Sequence, residues 1–183
     1  MDAVELLKEQ LRQAHAFLEG LMSAVTDEQA HWPPPAKANP LGATYARVML
    51  GEDAFIALLA NRRPLFAAQW EGCTGVSAMP PVGAPGTFPP LLPGWHDWAR
   101  GVRIDLEATR HYAQAVHVAS AAYLDGLCTA DLDRPVVIGG DELPFGTQSL
   151  GWALSAGLIG HTYAHWGEAA CLLGLQGARG YQI

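Results

Sequence analysis

Three polar side chains interrupt the most apolar stretch of the chain. Between Gly151 and Leu175 (GWALSAGLIGHTYAHWGEAACLLGL) nearly every residue is apolar or small, yet His161, His165 and Glu168 fall at offsets of four and seven. Each residue of an α-helix advances by about 100°, so the three would share one narrow face. Two imidazoles a turn apart, with a carboxylate one turn further, suit a divalent metal, a proton relay or a hydrogen-bonded network. A buried pair of histidines left without any of these is costly. The run is long enough to span a bilayer. Its histidines, glutamate and glycines, and the lack of a flanking Lys/Arg bias, read instead as a central helix surrounded by other helices.

The elements that must position this face follow from periodicity and caps. Val4 to Val25 repeats apolar residues at helical spacing (Leu7, Leu11, Ala14, Leu18, Leu21, Val25), with Asp2 as cap and Glu5 where a capping box places its acid. His15 borders that stripe and reads as a hydrogen-bonded boundary residue. Thr26 to Gln29 opens a short turn that Pro33, Pro34 and Pro35 stop. Asn39-Pro40 starts a second helix running to about Asn61, nearly all apolar, with Arg47, Glu52 and Asp53 its only charges. A Pro/Gly-rich crossover is expected over 72–93, as a connection along the bundle or as a wall over a site. A third helix is expected from Pro93 or Gly94 to Leu127, with Gly101 its weak point. His96, His111 and His117 lie on it without i, i+4 spacing and read as surface or boundary residues. Val136 to Gly140 suggests a strand and turn. Thr147 or Ser149 caps the last helix, which Gly174 and Gly177 end.

Four helices, one long crossover and two shorter loops predict an all-α four-helix bundle, a single domain over 1–183, with its site built from facing helices. A net charge of −7 argues against nucleic acid. Cys73, Cys128 and Cys171, odd in number and without a CxxC pair, read as free buried thiols in a reducing cytoplasm. The N-terminal MDAVELLKEQ has no apolar signal region, so a cytoplasmic address is expected. No phosphate loop, GxSxG elbow or HExxH occurs in the sequence. Trp32, Trp95, Trp98, Trp152 and Trp166 read as core or dimer contacts.

Asn39 to Asp53 (NPLGATYARVMLGED), Pro93 to Arg100 (PGWHDWAR) and Leu158 to Tyr181 (LIGHTYAHWGEAACLLGLQGARGY) resemble the DinB/YfiT-like superfamily. The resemblance implies a four-helix bundle, often a homodimer, holding a divalent metal such as Zn, Ni or Fe through three histidines. It also implies a metal-dependent transferase of the thiol S-transferase type, or a hydrolase. His161 and His165 match two of the family's ligands and would be the catalytic pair. The third position, YAH in relatives, is here Arg47 in the YAR of GATYARVMLGED. Arginine offers no lone pair and carries a fixed charge, so the metal site reads as degenerate. Glu52 and Asp53 project about 140° and 120° away from that direction. Glu168, or His15 reaching in from the first helix, are the remaining candidate ligands. Without a metal, Arg47 and Glu168 would shape a recess for a small anionic ligand, in a binding or stress-response interaction protein that has lost catalysis. Alternatively, Arg47 would pair with Glu168 as structural glue.

Overall fold

A computed structural model describes residues 1–81, 94–138 and 146–180. Among the described residues the chain is helical apart from one two-stranded ribbon and the isolated Val76–Ile104 bridge. Eight α-helices are named in chain order. They are α1 (Ala3–Met22), α2 (Asp27–His31), α3 (Leu41–Leu59) and α4 (Leu65–Ala68), then α5 (Trp95–Gly101), α6 (Leu106–Asp125), α7 (Leu150–Trp152) and α8 (His161–Leu175). A π-helical segment, Ala153–Gly160, joins α7 to α8, so the fourth long rod is continuous but not uniformly α.

The local signals explain most ends. Asp2 Oδ1 accepts from the Glu5 amide, while Glu5 itself pairs with Lys8 instead of closing a capping box. Thr26 and Gln29 do close one over α2. α3 starts one residue later than expected, with Pro40 at its cap, and the Asn39 side chain bonds His96. Asp105 caps α6, and Gly177, in the left-handed region, follows the end of α8.

The expected third helix is two. It stops at Gly101 because residues 102–105 turn extended and pair with the chain after α4. Val76 bridges Ile104, the Ser77 amide bonds the Arg103 carbonyl, and the Asp105 amide bonds the Gly75 carbonyl. The described part of the expected crossover is thus stitched to the bundle; residues 82–93 lie outside the described residues. The predicted strand is β1 (Pro135–Val137), antiparallel to β2 (Thr147–Ser149), and the Gly139-Gly140 turn lies outside the described residues. Ser149 caps α7 as expected, although Thr147 belongs to β2.

Four long rods make the bundle: α1, α3, α6 and the α7–α8 rod. α1 and α3 each pack against both α6 and α8, so α1 and α3 face one another across the bundle axis. Among the described residues, two separate apolar clusters fill it. One takes Leu18 and Met22 of α1, Tyr45 to Leu50 of α3, Tyr112 to Val116 of α6 and Ala169 to Leu173 of α8. The other takes Leu7 to Ala14 of α1, Phe55 to Leu59 of α3, Leu124 of α6 and Leu150 to Ile159 of the last rod. Between them lies a waist where α1 contributes His15, α3 Glu52, and α6 His117 and Ser120. All three cysteines are exposed, against the expectation of buried thiols: Cys73 and Cys128 lie in connecting turns, and Cys171 lies on the outer face of α8.

Candidate functional site

α3 is the wall on which the polar side chains are hung. Its burial is nearly complete, and its charges therefore need partners. Asp53 finds them locally: its carboxylate, wholly buried, accepts the Leu65 and Phe66 amides at 2.9 Å each and the Tyr112 hydroxyl at 2.8 Å. It therefore caps α4 and ties α3 to α6, which is a structural task.

Arg47 lies one turn before Gly51 on α3. Its guanidinium stacks on Trp95, Cζ to ring centroid 5.4 Å, a cation–π arrangement. Burial lowers its pKa, opposed by the nearby Glu168 carboxylate. The expected Arg47–Glu168 pair does not form. Glu168 Oε2 instead takes the Nδ1–H of His165 at 2.6 Å, and among the described residues Arg47 has no ion pair. The bond from His165 holds the Glu168 carboxyl below its usual range, against burial and with the aid of Arg47. Two buried polar atoms nearby also lack a hydrogen-bond partner: the hydroxyl of Thr44, three residues before Arg47, and the indole Nε1 of Trp95 beneath it.

His161 and His165 meet edge to face, ring centroids 4.5 Å apart. His161 rests against α3 where that helix carries no side chain: a Cβ on Gly51 would lie 3.8 Å from its Cε1. Burial pushes the His161 imidazole down to about 3, helped by His165 and by the positive charge of Arg47. It is a neutral ring at any ordinary pH. An ionised carboxylate only accepts, so the His165–Glu168 bond places a proton on Nδ1 of His165.

A three-histidine metal does not fit this end. The position matching the family's third ligand holds a cation that lowers the pKa of the neighbouring imidazole. His161, His165 and Glu168 all come from one helix and do not bring three ligand atoms within 4.8 Å of one another.

The group that does converge, alone among the described residues, is His15, Glu52 and His117, one from each of three helices. His15 Nε2 lies 3.0 Å from Glu52 Oε2, and Ser120 Oγ donates to Glu52 Oε1 at 2.6 Å. The His15 and His117 rings stack 3.7 Å apart at 16°. His117 Nε2 is buried without a hydrogen bond, 3.9 Å from Glu19 Oε1, and the Tyr45 hydroxyl holds Glu19 at 2.9 and 3.0 Å. Burial would raise Glu52, but the bond and charge of His15 prevail and hold it below the usual carboxylate range. Burial takes His117 down to about 4, with His15 adding to the effect. His117 is therefore no ordinary boundary residue, and His15 is buried rather than marginal. The sequence carried one signal for this group: a carboxylate at Glu52 in a helix otherwise sealed from water must be met by something.

The model of the DinB superfamily matches residues 10–169. A solved structure of a conserved protein from Enterococcus faecalis superposes with a TM-score of 0.75. It covers 94% of this chain and 95% of its own at 18% identity, a likeness of fold alone. No curated protein sequence matches the chain.

Proposed function

The chain belongs to the DinB superfamily, and within that family we propose that its Arg47 end binds a small anionic molecule, a carboxylate or phosphate, without a metal. One observation carries this reading. A half-buried guanidinium, braced on Trp95, faces no carboxylate within ion-pair distance among the described residues, while the donors of Thr44 and Trp95 beside it are unpartnered. Arginine's planar fork matches the two oxygens of a carboxylate or phosphate. A neutral His161, with His165 beside it, would line the recess. A base as weak as His161 orients a hydrogen bond and does not drive proton abstraction.

Titration of untagged protein with inorganic phosphate and with acetate, followed by calorimetry and by the imidazole resonances, tests it. Saturable binding that falls tenfold or more in Arg47→Gln, about 1.4 kcal/mol or more, supports the reading. Equal binding by Arg47→Gln, or none by the parent, ends it.

A second reading, metal-dependent transfer of the thiol S-transferase type or hydrolysis, is favoured by a separate observation: the three converging ligand groups of the waist. A divalent ion held there by His15, Glu52 and His117 would supply Lewis-acid chemistry. The homodimer and the cytoplasmic address expected from the sequence belong to this proposal too. Sedimentation of the untagged chain tests the dimer. No described helix is long and apolar enough to cross a membrane.

A further inference from the structure

We propose that His15, Glu52 and His117 form a divalent-metal site of the zinc type at the waist of the bundle, separate from the His161–His165 pair. The inference deepens the second reading above and rests on it only for any turnover; ion binding is measured on its own.

Four observations carry it. The ligand atoms lie within 4.8 Å of one another and come from α1, α3 and α6, so the ion would be enclosed from three sides. Two imidazole nitrogens and a carboxylate oxygen are the donor set of open zinc sites, and they favour Zn, Co, Ni or Fe over Mg or Ca. Glu52 is already oriented by the short bond from Ser120, the kind of outer partner that metal ligands require. The His117 Nε2 atom is buried without a hydrogen bond, 3.9 Å from Glu19 Oε1, and the His117 imidazole also sits beside Glu52.

The geometry also states what must move. Ligand atoms around a tetrahedral zinc ion sit roughly 3.4 Å apart, from metal–ligand lengths of about 2.1 Å. The 3.0 Å separation of His15 and Glu52 opens by a few tenths of an ångström as the ion replaces their shared proton. The stacked rings must splay, because lone pairs in parallel planes do not converge. Charge favours the exchange: Glu52 is a buried carboxylate beside two imidazoles and Ser120, and Glu19 adds a second negative group held by Tyr45. Arg47 is five residues away on α3 and about 140° around it, so its charge is directed elsewhere.

The test uses untagged, chelator-stripped protein titrated with Zn²⁺ and, for its visible spectrum, Co²⁺. One equivalent is expected. Affinity should fall by about 100-fold or more in His117→Gln and Glu52→Gln, beyond the 10–100-fold typical of losing an outer partner. It should stay within about threefold of the parent in His161→Ala. Circular dichroism confirms that each variant folds. Should Glu52→Gln fail that check, X-ray absorption at the zinc edge of the parent gives the ligand set directly, two imidazoles with oxygen donors. Loss of the ion in His161→Ala with retention in His117→Gln would overturn the proposal. So would a parent that binds no stoichiometric metal. Turnover of a thiol-transfer or ester substrate is assayed separately. An ion bound without turnover sinks the second reading and leaves the site standing.

Discussion

The bundle holds two polar groups about a turn apart, and they are built on opposite plans. At the waist, His15, Glu52 and His117 come from three helices and meet near the axis, between two apolar clusters. At the Arg47 end, His161, His165 and Glu168 come from one helix, and the facing helix supplies a cation. The first gathers lone pairs and negative charge around one point. The second pairs its own members, His165 with Glu168, and leaves a guanidinium against Trp95. The contrast teaches that an HxxxH spacing is half a site at most, because the facing helix here places a guanidinium against it.

The sharpest way to break the comparison is to remove one carboxylate from each group. Glu52→Ala strips His15 and Ser120 of their buried partner and should cost about 3–5 kcal/mol in urea unfolding of the metal-free protein. Glu168→Ala removes a half-exposed partner whose loss should cost about 1 kcal/mol or less. Equal costs would mean that the waist is no more integral than the surface of α8.

Acid should separate the groups from ordinary surface histidines. His117 and His161 bind protons less readily in the folded chain, at about 4 and about 3, than in the unfolded one, near 6.5. Below 6.5 the unfolded state takes up protons that the native state refuses, so stability falls as pH drops through 6.5 toward 4. Thermal melts of chelated protein between pH 7.5 and 4.5 should show that decline. His117→Gln should lessen it, because its share of the linkage is gone. A melt flat across this range would contradict the burial assigned to both rings.

Smaller effects sharpen the picture. Tyr45→Phe removes the hydroxyl that holds Glu19 and should cost about 1.5–3 kcal/mol, as for a hydrogen bond to a charged group. Gly51→Ala places a methyl at ordinary contact distance from His161 Cε1, 3.8 Å. It should leave stability within about 0.5 kcal/mol, helped by the better helix former. A large loss there would show that His161 needs closer access to α3 than the fold gives it.

Much of the bundle could be read from one-dimensional pattern, because its signals are local. Asp2, Thr26 and Ser149 cap where their side chains say they should, and the apolar stripe of α1 is the stripe that is buried. Gly101 was legible as the weak point of the third helix, but the full break there follows from pairing between Val76 and Ile104, which no local signal marks. The π-helical segment is equally silent in ALSAGLIG, a run of small and apolar residues without a proline. The exposed cysteines show the same limit, since Cys73 and Cys128 fall in connecting turns and Cys171 on the outer face of α8.

The HxxxH face was legible from its spacing, and Arg47 stood out because the stretch around it resembles a family whose members carry YAH there. The waist was not. His15 and Glu52 are separated by 37 positions, and Ser120 and Glu52 by 68, so only the packing of α1, α3 and α6 brings them together. His117 in particular carries no spacing to any other histidine of its helix, and its role appears only once α1 stacks His15 against it.

The account turns on one side chain of α3, and Arg47→His tests it directly. Metal content of chelator-stripped, zinc-reloaded protein, untagged, should be about one equivalent in the parent. The variant should gain one further equivalent, and His161→Ala in that background should abolish the gain. A parent that already loads an ion removable by His161→Ala, or a variant that gains nothing, would contradict the claim that the guanidinium closes this seat to a cation.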